Sequence, residues 1–148
     1  MTQKSPERTA LFAGSFRPFT IGHLDILMRG LELFDRVVVA AGRNCNKAAS
    51  DAISQDLPAI IARYPRASFI EWDGLTVDAA RLTGARWLLR SARNSADFLY
   101  EQNLADINRR IAGIDTVILT ARPELACISS SMVRELASFG RDISEYLP

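Results

Sequence analysis

The sequence predicts a single α/β domain, a doubly wound sheet of about five parallel strands with helices on both faces. Three observations lead there. Short apolar runs alternate with segments of helical periodicity, and one run, Val37-Val38-Val39-Ala40-Ala41, is uninterrupted, as in a strand covered on both faces. A chain of 148 residues with 48% hydrophobic content is enough for one buried core and short for two. Strands alternating with helices imply right-handed crossovers, and such sheets bind ligands at the carboxyl ends of their strands. Chemistry is therefore expected just after Ala13, Ala41, Leu89 and Thr120.

Thr9 to Ala13 is the first strand, an apolar run that stops at Gly14 as at a tight turn. After a loop containing Pro18 and Gly22, residues Leu24, Leu27, Leu31 and Phe34 recur at helical spacing and form one apolar face. Val37 to Ala41 is the second strand. Pro58 suits the first turn of a helix that Pro65 helps to end. Further strands are expected at Ser68 to Trp72, Trp87 to Leu89 and Thr116 to Thr120, with helices between them and after the last. The helix preceding Thr116 has Tyr100, Leu104, Ile107 and Ile111 as apolar positions, so Glu101, taken alone, reads as a solvent-facing charge. Residues 1–8 are polar and read as a loose tail, leaving 9–148 as the domain.

The charges nearly cancel, 18 Lys and Arg against 17 Asp and Glu, so no global field points to nucleic acid or an anionic membrane as partner. The apolar run after the tail is broken by Gly14, which suits neither a signal peptide nor a membrane span. Cys45 and Cys127 lack metal or redox spacing, and a lone histidine adds too few ligands for structural zinc. A reduced, cytoplasmic setting is expected, with no metal site built by the protein itself.

The segment Gly14-Ser15-Phe16-Arg17-Pro18-Phe19-Thr20-Ile21-Gly22-His23 joins the first strand to the first helix and holds the only histidine. Glycines let backbone amides approach a phosphate, and a helix start offers unpaired N–H groups and a positive dipole end. His23 there could donate a hydrogen bond to a phosphoryl oxygen; an isolated histidine is more simply a helix cap or a satisfied, partly buried side chain. The loop is neither G-x-G-x-x-G nor a P-loop. Lys47, Arg90 and Arg93 also follow predicted strand ends, so three cations could converge with that helix start on a polyphosphate. Ser130 or Ser131, ahead of the helical pattern Val133, Leu136 and Ala137, could cap a last helix, present its amides to a phosphate, or both.

Gly-Ser-Phe-x-Pro-x-Thr-x-Gly-His resembles the signature of the T/H-x-G-H nucleotidyltransferases. From about Leu11 to Pro148 the chain is similar to the bacterial phosphopantetheine adenylyltransferase family within that superfamily. Arg90-Ser-Ala-Arg93, then Asp97-Phe98-Leu99-Tyr100-Glu101 and Asn108-Arg109, resemble its Arg-Gly-Leu-Arg, Asp-Phe-Glu-Tyr-Glu and Asn-Arg stretches. Ile128-Ser129-Ser130-Ser131, with Val133, Arg134 and Glu135, resembles its Ile-Ser-Ser-Ser helix start, and Lys47 has the spacing of its acceptor-binding lysine.

The resemblance implies a Rossmann-like fold and attack by the phosphate of 4′-phosphopantetheine on the α-phosphorus of ATP, giving dephospho-coenzyme A and pyrophosphate. It implies catalysis by His23, Lys47 and Arg93, and ATP binding by Gly14, Ser15, Phe16, Gly22, His23, Ser91, Ala92, Arg93, Glu101 (at the ribose), Ile128, Ser129, Ser130 and Ser131. Acceptor binding falls to Ser15, Lys47, Thr76 and Arg90, with Mg²⁺ carried by the ATP phosphates. It further implies coenzyme A as a feedback ligand and a homohexamer.

Several positions depart from the family pattern. Arg17 replaces a usual aspartate, and Ser91-Ala92 replaces Gly-Leu or Gly-Ile, so a backbone that must approach the nucleotide or take positive φ there would be less free. The stretch Ala48 to Leu57 lacks the expected Phe and Arg, and Pro148 comes before the family's final short helix, which implies altered oligomer contacts. Rival readings are a sister nucleotidyltransferase acting on nicotinamide mononucleotide, or one using CTP with a polyol phosphate. Outside the enzymes, a nucleotide-binding module without catalysis is the alternative, and a plain flavodoxin-like domain gives Gly22-His23 no reason to accompany three cations.

Overall fold

The computed structural model describes residues 4–43 and 53–148. Five parallel strands stand in the order β3-β2-β1-β4-β5, with β1 at Thr9–Gly14, β2 at Arg36–Gly42, β3 at Ala67–Trp72, β4 at Trp87–Ala92 and β5 at Asp115–Thr120. Each strand is followed by a helix: α1 (Ile21–Leu33), α2 (Leu57–Ile61), α3 (Thr76–Thr83), α4 (Ser95–Ala112) and α5 (Ser130–Ser138). The expected doubly wound, Rossmann-like sheet is what the chain forms.

The apolar runs are continuous because the sheet is covered twice. Ala10, Phe12, Val37, Val39 and Leu89 face one side with Ile26, Leu27 and Leu31 of α1. Leu11, Val38, Ala40 and Leu88 face the other with Val77 and Ala80 of α3. Period-two alternation thus sends apolar side chains into both cores along Ala10 to Phe12 and Val37 to Ala41. Since β2 and β3 lie to one side of β1 and β4 and β5 to the other, the winding reverses between β1 and β4. That reversal opens a crevice at their carboxyl ends, where ligands of such sheets bind.

Three features differ from expectation by more than a residue at an element's end. β4 runs to Ala92 because Arg90, Ser91 and Ala92 pair with Ile118, Leu119 and Thr120 of β5; Arg90 therefore lies inside the strand and not after it. At the end of the segment expected to be loose, Arg8 is tied to the start of β2, donating its N–H to Asp35 at 2.8 Å and accepting from the Asp35 N–H at 2.9 Å. On α4 the sheet-facing residues are Glu101 and Ala105, whereas Tyr100, Ile107 and Ile111 are 61%, 58% and 52% exposed. The apolar stripe points outward because the inner side of this helix must meet the guanidinium of Arg90, which takes a carboxylate.

Asp56 caps α2, accepting the Ala59 N–H at 3.0 Å, and Pro58 occupies the first turn as expected. α4 ends at Gly113 in the left-handed conformation, φ 66°, with its N–H on the Arg109 carbonyl at 2.8 Å. A Cβ at Gly113 would meet nothing within 4 Å, so only the backbone resists a side chain. Gly113→Ala is accordingly expected to lower unfolding free energy by about 1 kcal/mol, read as a lower urea midpoint at unchanged slope.

Candidate active site

The first loop leaves β1 at Gly14, where an added Cβ would lie 2.9 Å from the ring of Phe16. Phe16 itself takes a left-handed φ of 48° and is buried. Four residues on, Thr20 caps α1: its Oγ1 accepts the His23 N–H at 3.3 Å, while its own N–H donates to His23 Nδ1 at 2.9 Å. This is a capping box with an imidazole where a Glu or Gln usually stands. Because Nδ1 accepts, the proton of the neutral ring is on Nε2, which remains a donor. Nδ1 serves the cap and Nε2–H is left over, so capping and donation to a ligand are not exclusive for this ring.

Aromatic rings surround that imidazole. Phe19 stacks on it at 5.4 Å and 29°, and Phe16 meets it edge-on at 5.1 Å. Burial, and then the nearby charges of Arg90 and Arg93, lower its pKa from 6.5 to about 4. At neutral pH the ring is an uncharged donor beside two cations.

Arg90 crosses the crevice from β4. Its Nε and Nη2 donate to the two carboxylate oxygens of Glu101, each at 2.8 Å, and its Nη1 donates to the Ala13 carbonyl at the end of β1. Glu101 is only 6% exposed, so the solvent-facing reading of this residue is corrected: it is the buried half of a forked ion pair. Arg93 follows β4 and is braced by Asp97, which accepts from its Nε at 3.0 Å and its N–H at 3.1 Å. Among the described residues the terminal nitrogens of Arg93 make no hydrogen bond. Beside it lies a cavity of about 310 Å³ lined by Ala92, Arg93, Asn94, Ser95, Phe98 and Thr120. Ser91 is a regular strand residue paired with Leu119, outside the positive-φ region, so its backbone conformation does not demand glycine.

The start of α5 closes over the first loop. Its cap is Ser129, one residue before the pair expected, and its Oγ accepts the Met132 N–H at 3.1 Å. Ser130 faces the other way and donates to the Pro18 carbonyl at 2.8 Å, while Arg134 donates to the Arg17 carbonyl. The Ile128 carbonyl stands 3.8 Å from where a Gly22 Cβ would be. Asp25 on α1 accepts from Arg29 at 3.1 Å and Arg122 at 2.9 Å, and Arg29 reaches the Thr120 carbonyl at 3.0 Å, so the β5 end is held to α1 as well.

Gly14, Phe16, Gly22, His23, Arg90, Ser91, Ala92, Arg93, Glu101, Ile128, Ser129, Ser130 and Ser131 are thus gathered at one rim by three helix starts and two strand ends. Ser15 is exposed in the same loop, and Thr76 begins α3 at that rim, beyond β3 and two strands from β1. Lys47 lies outside the described residues. Sequence reasoning missed the Thr20 bond to Nδ1, although a threonine three residues before a helical histidine is the capping-box spacing. The aromatic cage and the Asp97 brace carried no comparable signal. Among the described residues no group of three or more His, Cys, Asp or Glu is placed to hold a metal ion, and no helix is long and apolar enough to cross a membrane.

A parallel sheet with a helix-start histidine and arginines at its switch point suits a nucleotidyltransferase, and the model of the cytidylyltransferase-like family matches residues 11–136. Phosphopantetheine adenylyltransferase of Porphyromonas gingivalis is 49% identical over 94% of this chain and 93% of its own. That of Bacteroides fragilis is 43% identical over 95% and 96%. The chain belongs to the phosphopantetheine adenylyltransferase family. Among solved structures, the fold is similar to that of a bifunctional NMN adenylyltransferase/ADP-ribose pyrophosphatase from Francisella tularensis, complexed with AMP and a Mn ion, at a TM-score of 0.69 and 13% identity. That likeness covers 95% of this chain and 44% of the longer one, and it concerns the fold alone.

The lowered pKa of His23 sets a pH dependence. Between pH 6.5 and about 4 the unfolded chain takes up a proton that the folded chain refuses, so stability falls as pH drops through that window and is fully present above it. As the chain holds one histidine, NMR of its imidazole in the ligand-free protein reads the group directly. The ring is expected to stay neutral at pH 6, protonated on Nε2; a midpoint at 6.5 or above would contradict the burial and charge argument.

Proposed function

We propose that this chain joins the adenylyl group of ATP to the phosphate of 4′-phosphopantetheine, forming dephospho-coenzyme A and releasing pyrophosphate. The observation that carries the reading is the neutral imidazole of His23, held with Nε2–H available at the first turn of α1 beside Arg90 and Arg93. The relatives' names supply the acceptor. A phosphate monoester is already an anionic nucleophile, so its oxygen attacks the α-phosphorus as the bond to pyrophosphate breaks, with no covalent enzyme intermediate. The protein's work is to align two anions and neutralise charge.

His23 Nε2–H donates to an α-phosphoryl oxygen and keeps its proton; the hydrogen bond strengthens as charge builds on that oxygen. Arg93 offers its terminal nitrogens to the leaving phosphates, and Lys47 is assigned to the phosphate in transfer. Arg90 takes the acceptor phosphate. Glu101 aims that guanidinium with both oxygens, and each oxygen keeps a lone pair with which we assign it the ribose hydroxyl as well. The free amides at the starts of α1 and α5 serve the phosphates of ATP, which enters with its own Mg²⁺. A cytoplasmic setting and coenzyme A as a product-like ligand belong to the same reading, and the free thiol of Cys127 agrees with the first.

The outward apolar face of α4 supports packing between copies, and we assign the homohexamer to it. Ile107→Glu is expected to shift the assembly to smaller species in sedimentation; an unchanged particle would remove this face from the interface.

A coupled pyrophosphate assay tests the reaction. ATP with 4′-phosphopantetheine is expected to release pyrophosphate, and ATP with nicotinamide mononucleotide, or CTP with a polyol phosphate, is not. Silence with every acceptor would leave a binding module. His23→Ala is expected to bind ATP while losing about 10²–10³ in turnover; near-normal turnover would defeat the role given to this ring.

A further inference from the structure

Gln55 directly precedes Asp56, the cap of α2, and is half-buried. Its side-chain amide makes both of its hydrogen bonds to the backbone of one residue on the far loop. Oε1 accepts the Phe19 N–H at 2.8 Å, and Nε2 donates to the Phe19 carbonyl at 2.8 Å. A backbone N–H can only donate, so the two ends of the amide are assigned without ambiguity.

The Phe19 carbonyl and the Thr20 N–H are the two ends of a single conjugated peptide group. That same N–H donates to His23 Nδ1 at 2.9 Å. A chain of donors therefore runs from Gln55 Nε2–H to the Phe19 carbonyl, through the peptide to Thr20 N–H, and on to Nδ1, leaving Nε2–H as the ring's remaining donor. Hydrogen bonds in such chains polarise one another, by roughly 10–30% per bond. The clamp also fixes the residue whose ring, 0% exposed, stacks on the imidazole.

We propose that Gln55 is a positioning residue which, acting through the Phe19–Thr20 peptide, holds His23 in its Nε2–H tautomer and in the orientation used at the α-phosphoryl group. The proposal rests on His23 being the phosphoryl donor. Gln55 also borders a cavity of about 200 Å³ with Phe16, Arg17, Pro18 and Arg134, so direct contact with a substrate is the competing role.

Two variants separate these. Gln55→Leu removes both bonds; Gln55→Glu keeps an acceptor for the Phe19 N–H and, ionised at neutral pH, loses the donor to the carbonyl. Imidazole ¹⁵N NMR of the sole histidine in the ligand-free protein is expected to show mainly Nε2–H in the parent and a raised Nδ1–H share in both variants. Turnover is expected to fall by about 10–100-fold, as for other groups that orient a ligating or reacting histidine, with KM for ATP and for 4′-phosphopantetheine within about two-fold of the parent. Unchanged imidazole shifts overturn the proposal, and so does a change confined to KM, which would put Gln55 on the substrate. Should Gln55→Leu fail to fold, Gln55→Glu decides alone, by the same shifts and the same split. Failure of the functional reading is told apart, since it would appear as a parent protein releasing no pyrophosphate while the tautomer measurement still stands.

Discussion

The hydrogen bond from Thr20 N–H to His23 Nδ1 is the contact on which the rest of the site depends. It closes the capping box that starts α1, and it decides which nitrogen of the ring bears the proton. Were Nδ1 free, the imidazole could exist in either tautomer, and its one N–H would point in either of two directions. The surrounding phenylalanines exclude water, and Arg90 and Arg93 oppose a positive ring, so the histidine is kept as a neutral donor. An uncharged donor that does not give up its proton suits a reaction whose nucleophile arrives already ionised.

The cations gather because of the sheet. Parallel strands all end at one rim, and the reversal between β1 and β4 leaves a gap there that Arg90 spans, from the Glu101 carboxylate on α4 to the Ala13 carbonyl on β1. A buried ion pair of this kind is poor support for stability, since desolvation offsets much of the Coulomb attraction. Its value is directional, because two forked bonds and a carbonyl fix the plane of the guanidinium. Arg93, braced through Nε by Asp97, keeps its terminal nitrogens clear of other described partners. The two arginines of the Arg90 to Arg93 stretch are thus held differently, one along its whole fork and one at its base.

Much of the fold was legible in the sequence. Continuous apolar strands read as doubly covered, and the helix-start signals at Pro58 and around Gly22 and His23 fell where helices begin. At Gly14 the structure adds a reason of its own for glycine, since a Cβ there would lie 2.9 Å from the ring of Phe16. The α4 face was misread because apolar periodicity reports where a helix is hydrophobic and not which neighbour it meets. Tyr100, Ile107 and Ile111 turn outward since the inward side is occupied by Glu101 under Arg90, a pairing of residues 11 apart in sequence and on different elements. The end of β4 was set three residues short for a related reason: Arg90 and Ser91 look like loop residues, and only pairing with β5 keeps them in the strand.

By itself the sequence determined the architecture and the family, because hydrophobic periodicity and the motif around Gly22-His23 are local properties that need no knowledge of distant neighbours. It also marked the histidine and arginines as the residues to consider. Tertiary structure alone decided what each of them does: the tautomer of His23, the fork of Arg90 on Glu101, the cap at Ser129, and the clamp of Gln55 on Phe19. Two of these four join residues of different elements or distant loops; the cap at Ser129 and the tautomer of His23 are local, and each turns on which of several neighbouring atoms a backbone amide reaches. Hydrogen-bond partners are chosen by distances of a fraction of an ångström, and those exist only after the chain has packed.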